Sequence, residues 1–263
     1  MTFRRMLSAF GIDAPSIGFQ LAAPRAQPGD TLSGEIRLRG GDVDVDVDGV
    51  AVGLVERLPR AQGTAELEEF SRAQVSGPAT LRRGAERVLE FEVKVPWETP
   101  ISEIGGRRLS GLALGVRTEV AGGAALDRGD PVMVTVKPLP SQLRVLRAFA
   151  QLGFPFKSTA LKEGRLNGAR QDLPFYQEIE FYPPIHQAGP VHEVELVFVP
   201  DPDGLDVVLK ADQHTDRGSS DAVGRFRMSH EEVLRTDWPS EVDRWLIGLL
   251  RHVRERQRRG DGR

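Results

Sequence analysis

Between Ile17 and Val136 a series of runs places apolar residues at every second position, and that beat sets what the chain can fold into. Leu32, Ile36 and Leu38 fall on one side of a segment whose other side carries Ser33, Glu35, Arg37 and Arg39. Val43, Val45 and Val47 alternate with Asp42, Asp44, Asp46 and Asp48. Leu89, Phe91, Val93 and Val95 form a further alternation, ended by Pro96. Leu112, Leu114, Val116, Thr118 and Val120 make another, and Val132, Val134 and Val136 close the series before Pro138. A period of two buries one face of a strand and wets the other, the pattern of antiparallel sheets. Turn signals such as Pro28-Gly29-Asp30 and Gly40-Gly41 separate the runs, and 28 glycines with 18 prolines supply many such turns. Strands in series with turns between them point to a β-sandwich.

Pro138-Leu139-Pro140 reads as a linker and a hinge. Leu143, Leu146, Phe149 and Ala150 then take helical spacing, closed by Gly153, which predicts a short helix. Alternation resumes with Phe175, Gln177, Ile179 and Phe181, then Val194, Leu196 and Phe198, then Leu205, Val207 and Leu209, with a weaker strand from Val223 to Met228. Val242, Trp245, Leu246, Leu249, Leu250 and Val253 line one stripe of a C-terminal amphipathic helix, capped by Asp237 or Ser240. The expected division is a sandwich over residues 1–138, a second, smaller sandwich over 139–236, and a helix with a basic tail over 237–263.

Composition removes several classes of function. Without cysteine there is no disulfide scaffold, thiolate metal site or cysteine nucleophile. A formal charge of −3 gives no general attraction to nucleic acid. No apolar stretch reaches the length of a membrane span, and Asp13 and Pro15 interrupt the N-terminus before a signal-peptide core forms, so the expectation is a cytoplasmic protein. Residues 251–263 carry six arginines against Glu255 and Asp261, the one sizeable charge asymmetry.

Candidate chemistry is sparse. Asp44, Asp46 and Asp48 followed by Gly49 match the start of a calcium loop, but position 12 is Val55 and the interleaved valines demand a strand. Those aspartates are therefore weak metal candidates beside the alternative of a charged outer face. His186 and His192 have no zinc spacing; His214 between Asp212 and Asp216 resembles an acid–base group set in a polar loop; His230 and His252 stand alone. Glu178 and Glu180, two apart on a strand, are loosely compatible with a carboxylate pair. Nucleophile-elbow, phosphate-loop and dinucleotide motifs do not occur, and no cofactor is expected. The stripe of Trp245, Leu246, Leu249, Leu250 and Val253, with Arg254, has two readings: core packing on the second sandwich, or a partner-binding or dimerisation surface.

Pro28-Gly29-Asp30-Thr31-Leu32-Ser33-Gly34-Glu35 followed by Arg39-Gly40-Gly41 resembles the opening of the bacterial sporulation-control protein family, which is arrestin-like. Val95-Pro96-Trp97-Glu98-Thr99-Pro100-Ile101, Arg117-Thr118-Glu119-Val120, Ala125 to Asp130 and Lys137 to Pro140 continue the likeness. So do Leu152-Gly153-Phe154-Pro155-Phe156-Lys157, Leu173 to Phe181 and Glu193 to Phe198, so that it covers most of residues 8–215. Asp30 stands where the family usually has glutamate, and the arginine-rich end has no counterpart. The resemblance implies two tandem arrestin-like antiparallel β-sandwiches and no catalytic residues. It also implies a regulatory or scaffold role through protein partners in sporulation, development or cell-division control. A calcium-binding β-module and a hydrolase of unknown substrate are the alternatives.

Overall fold

The protein is described from a computed structural model, which covers residues 15–59, 65–122, 125–184, 191–215 and 218–248. The chain divides into two compact units, Met1–Ser102 with Leu112–Lys137, and Glu103–Gly111 with Pro138–Arg263. Residues 103–111, placed with the first domain by the sequence, thus group with the second unit.

The first eight strands are β1 (Ser16–Leu21), β2 (Arg25–Ala26), β3 (Thr31–Arg39), β4 (Val45–Val47), β5 (Gly49–Pro59), β6 (Ala65–Ser76), β7 (Ala79–Leu81) and β8 (Glu86–Lys94). β9 (Glu103–Ile104) and β10 (Arg107–Arg108) form a two-stranded piece of the second unit. β11 (Gly115–Gly122), β12 (Ala125–Arg128), β13 (Val132–Met133) and β14 (Thr135–Val136) complete the first. Its main sheets run β1-β3-β8 and β12-β11-β5-β6, with β13 added to β11; β4 pairs β7, and β14 pairs β2 in parallel.

The alternation works as expected in β3 and β8: Leu32, Ile36, Leu38, Phe91 and Val93 are buried while Ser33, Arg37, Arg39 and Glu92 are exposed. β5 does not alternate. Val50, Ala51, Val52, Leu54, Val55 and Glu56 are all buried, so both faces of this central strand are covered. On one face Gly53 makes room for a side chain, since a Cβ there would meet the Glu69 carboxylate at 2.2 Å. The expected aspartate strand shrinks to three residues. Val45 and Val47 are buried, but Val43 is 39% exposed and β5 begins at Gly49. The Val132–Val136 run also splits, β13 pairing with β11 and β14 with β2.

The second unit adds α1 (Pro140–Gln151), β15 (Phe156–Glu163), β16 (Phe175–Phe181), β17 (Val191–Pro200), β18 (Gly204–Thr215), β19 (Gly218–Ser229), α2 (His230–Arg235) and a helix, α3, over residues 238–248. Pro140, expected in a linker, is the first residue of α1, where a missing N–H costs nothing. The Gln142 side chain accepts from the Leu139 backbone N–H at 2.8 Å, and Gly153 closes the helix at φ +79°. The five strands form one antiparallel meander in sequence order.

The predominantly antiparallel β architecture is as the sequence indicates, and this unit adds a helical layer over the apolar face of its sheet. Phe149 of α1 packs on Phe181 with ring centroids 4.7 Å apart. Trp238, the first residue of α3, lies edge-on to Phe226 at 5.5 Å and donates from Nε1 to the Val233 carbonyl at 2.9 Å. Val242 and Leu246 are fully buried, and Trp245 covers Gly224 so closely that a Cβ there would lie 2.3 Å from its Nε1. A fully buried, hydrogen-bonded indole is the largest side chain in this core. Trp238→Ala is therefore expected to lower the unfolding free energy by about 3–5 kcal/mol, read from denaturant midpoints at unchanged slope. A loss under about 1 kcal/mol would show that α3 adds little to the unit.

Candidate functional site

The alternation of β16 places Phe175, Ile179 and Phe181 under the helices and turns Tyr176, Glu178 and Glu180 to the other face. Register then assembles a charged ladder. Ser158 of β15 lies opposite Glu180, Glu180 opposite Glu195 of β17, and Glu195 opposite Lys210 of β18. Glu178 is only 3% exposed. Its Oε1 accepts from Lys210 Nζ at 2.5 Å, and Lys162 Nζ stands 3.4 Å from Oε2. The Lys210 ammonium also lies 4.9 Å from the centre of the Tyr176 ring and 3.5 Å from Glu195. At the sheet's edge Lys157 bonds Glu193 and stands 3.4 Å from Glu180, which accepts from Ser158 Oγ.

Burial first, and then the Glu178 charge, push Glu195 up to about 7 against the attraction of Lys210. Burial is the largest single influence on Lys210 and opposes its charge, but the hydrogen bond and charge of Glu178, with Tyr176 and Glu195, together outweigh it and raise the pKa. The lysines thus stay charged at neutral pH while Glu195 titrates there. Glu178 and Glu180 do share a face, as expected, but each carboxylate is held by lysine or serine.

A second cluster lies over Gly53 in the first unit. Arg72 bridges Glu69 at 3.0 Å and bonds Glu119, which also takes Arg128 at 3.0 Å, while Arg117 stands 3.7 Å from Glu69. The hydrogen bond from Arg72 holds Glu119 below the usual carboxylate range. On the opposite face of β5, Glu56 accepts from Arg57 N–H at 2.9 Å and Ala113 N–H at 2.7 Å. Burial nevertheless raises its pKa.

The aspartate row is spent on local structure: Asp46 accepts from Thr80 Oγ1 and Asp44 from the Arg83 backbone, both at 2.7 Å, and the Asp48 N–H donates to the Ala121 carbonyl. Among the described residues no group of three or more His, Asp or Glu side chains is placed to hold a metal ion. The polar loop expected around His214 is instead strand, since β18 runs to Thr215 and pairs His214 with Ser219 of β19; Asp216 lies outside the described residues. His230 accepts from Ser141 Oγ at Nδ1, 2.8 Å, and donates from Nε2 to the Asp201 carbonyl at 2.9 Å, which ties α2 to α1. His192 is exposed on β17; His186 and His252 lie outside the described residues. In the C-terminal stripe Leu246 is fully buried and Trp245 is half-buried against Gly224 of β19. Leu249, Leu250, Val253 and Arg254 lie outside the described residues. Sequence reasoning missed Trp238, and also Lys210 and Glu195, which only strand register brings to Glu178.

Both units are built on sheets, and in each the described clusters of ionisable side chains are paired among themselves. A family model described as SpoOM protein matches residues 3–215, and the chain belongs to that family, as its motifs indicate. It is 25% identical over 254 residues to the sporulation-control protein Spo0M of Bacillus subtilis, covering 91% of this chain and 95% of that one. The crystal structure of the Bacillus subtilis protein superposes with a TM-score of 0.75 at 22% identity, over 90% of this chain and 99% of the other. Among the described residues no helix is long and apolar enough to cross a membrane.

The ladder makes a pH prediction. An acid whose folded pKa lies above its unfolded value contributes stability below the unfolded pKa and loses it as pH rises through the folded one. Glu195→Gln removes that loss. The variant's unfolding free energy should therefore gain on the wild type by about 1–2 kcal/mol between pH 5 and pH 8, after discounting for partial solvation. A pH-independent difference in chemical denaturation would show that Glu195 does not titrate in this window.

Proposed function

We infer that the chain is a non-enzymatic regulator of sporulation or an equivalent developmental programme, working by contact with other proteins. The family match over residues 3–215 carries this reading, and the Bacillus subtilis relative, a sporulation-control protein, gives it its content. The geometry supports the non-enzymatic part. The carboxylates and lysines of the ladder are bound to each other, Asp46 is bound to Thr80 and Asp44 to the Arg83 backbone, and the Ser141–His230 pair sits with its serine only 2% exposed. A reactive centre needs a nucleophile that a substrate can reach and a base left free to take its proton. Surfaces of sheets and their edges are what this arrangement offers a partner.

Deletion of the gene in its native host is expected to change the timing or yield of development into spores or stress-phase cells, with re-expression restoring it. Normal development and division in the deletion strain would refute the regulatory reading.

A further inference from the structure

Sheet edges present unpaired N–H and C=O groups, and proteins commonly guard them with charged side chains. Of the edge strands of four or more residues in the three larger sheets, five carry charge. These are β8 with Glu90, Glu92 and Lys94, β6 with Glu66 and Glu68, β12 with Asp127 and Arg128, β15 with Lys157 and Lys162, and β19 with Arg225 and Arg227. The sixth, β1, is Ser-Ile-Gly-Phe-Gln-Leu, without a charge, and Ala22-Ala23-Pro24 follows it. No described strand pairs with its outer side.

The register shows which groups that side presents. Leu21 lies opposite Gly34, and Ala22 N–H donates to the Ser33 carbonyl at 2.9 Å. In an antiparallel ladder hydrogen-bonded pairs alternate. Gln20, Gly18 and Ser16 therefore bond inward to β3, and the backbone groups of Ile17, Phe19 and Leu21 face outward. The side chains of those three residues are half-buried on the inner face, where Phe19 stacks on Phe91 at 5.2 Å, while Ser16, Gly18 and Gln20 are exposed on the outer face.

We propose that β1 pairs with β1 of a second copy of this chain, antiparallel about a two-fold axis at Phe19. In that register Phe19 faces Phe19 of the second copy, Ile17 faces its Leu21, and every outward N–H and C=O of Ile17, Phe19 and Leu21 finds a partner. The inner face becomes one apolar row across both copies. The outer face sets Gly18 beside Gln20 of the second copy, with no like charges opposed. β8-β3-β1 then continues through the axis into a six-stranded sheet. A second copy is favoured over an unrelated strand because the sequence of β1 is compatible with itself in the one register that satisfies its edge. The inference is independent of which process the chain regulates.

Gly18 and Gln20 provide the test, since a Cβ at Gly18 comes no closer than 3.6 Å to any neighbour. In sedimentation velocity the full chain should show a reversible monomer–dimer equilibrium in the micromolar range. Gly18→Lys/Gln20→Lys opposes two lysine pairs across the axis and should weaken the dimer roughly tenfold or more. Gly18→Lys/Gln20→Glu carries side chains of similar size in complementary order and should dimerise as well as the wild type. The chain has no cysteine, so Gly18→Cys/Gln20→Cys should cross-link into a covalent dimer under mild oxidation. Gln20→Cys alone, with Gly18 opposite, should not. A monomeric wild type, equal behaviour of the two charged variants, or equal cross-linking of the two cysteine variants would overturn the proposal.

Discussion

An alternating strand commits its sheet to one apolar face, and water must be kept from that face along its whole length. The two units meet this constraint in different ways. In the first, Ile36, Phe91 and Val93 are covered within a sandwich whose central strand, β5, is buried on both sides. In the second, a single five-stranded meander is roofed by α1 and α3, with Phe149, Trp238, Val242 and Leu246 as the contacts. The helices take most of their stability from that docking rather than from intrinsic propensity. The tight approach of Trp245 to Gly224 then follows, because only a residue without a side chain lets an indole come this close to a strand.

The opposite faces obey a second rule. Where a sheet face is only partly wet, a charge is tolerated if it is paired and hydrogen-bonded. Glu178 is such a case, held between Lys210 and Lys162, and the cluster of Glu69, Arg72, Arg117, Glu119 and Arg128 above Gly53 is another. Removing one partner of such a pair strands the other, whereas removing both together is mild. Such networks fix strand register and leave little free chemistry. Glu195 departs from this, since Lys210 is already committed to Glu178 and cannot neutralise two acids at full strength.

Legibility in the sequence follows the same division. β3 and β8 could be read directly because one face is dry and the other wet, so residue type reports position. β5 escaped that reading because Val50, Ala51, Val52, Leu54 and Val55 are buried whichever way they point, and a strand covered on both faces has no period. Val132 to Val136 looked like one strand, yet β13 and β14 join different sheets, since pairing partners are chosen by tertiary context. α1 is legible from Leu146, Phe149 and Gly153, but Pro140 sits at the first helical position, where proline is favoured as much as in a linker. The charged ladder was half visible: Glu178 and Glu180 stand two apart on one strand, while Lys210 and Glu195 arrive from two others.

The Bacillus subtilis relative shares this fold at 22–25% identity, which turn positions and side-chain alternation can hold while most residues change. A fold of this kind does not dictate a function; the surfaces grafted on it do. Surfaces made of side chains are rewritten by each substitution, but an open strand edge recognises through main-chain groups that substitution leaves in place. What the side chains of an edge decide is whether approach is permitted. Lys157 and Lys162 on β15 and Arg225 and Arg227 on β19 oppose it, and the neutral, small outer face of Ser16, Gly18 and Gln20 does not. Charge placement along the edges thus separates the side of the first unit that can accept a strand from those that repel one.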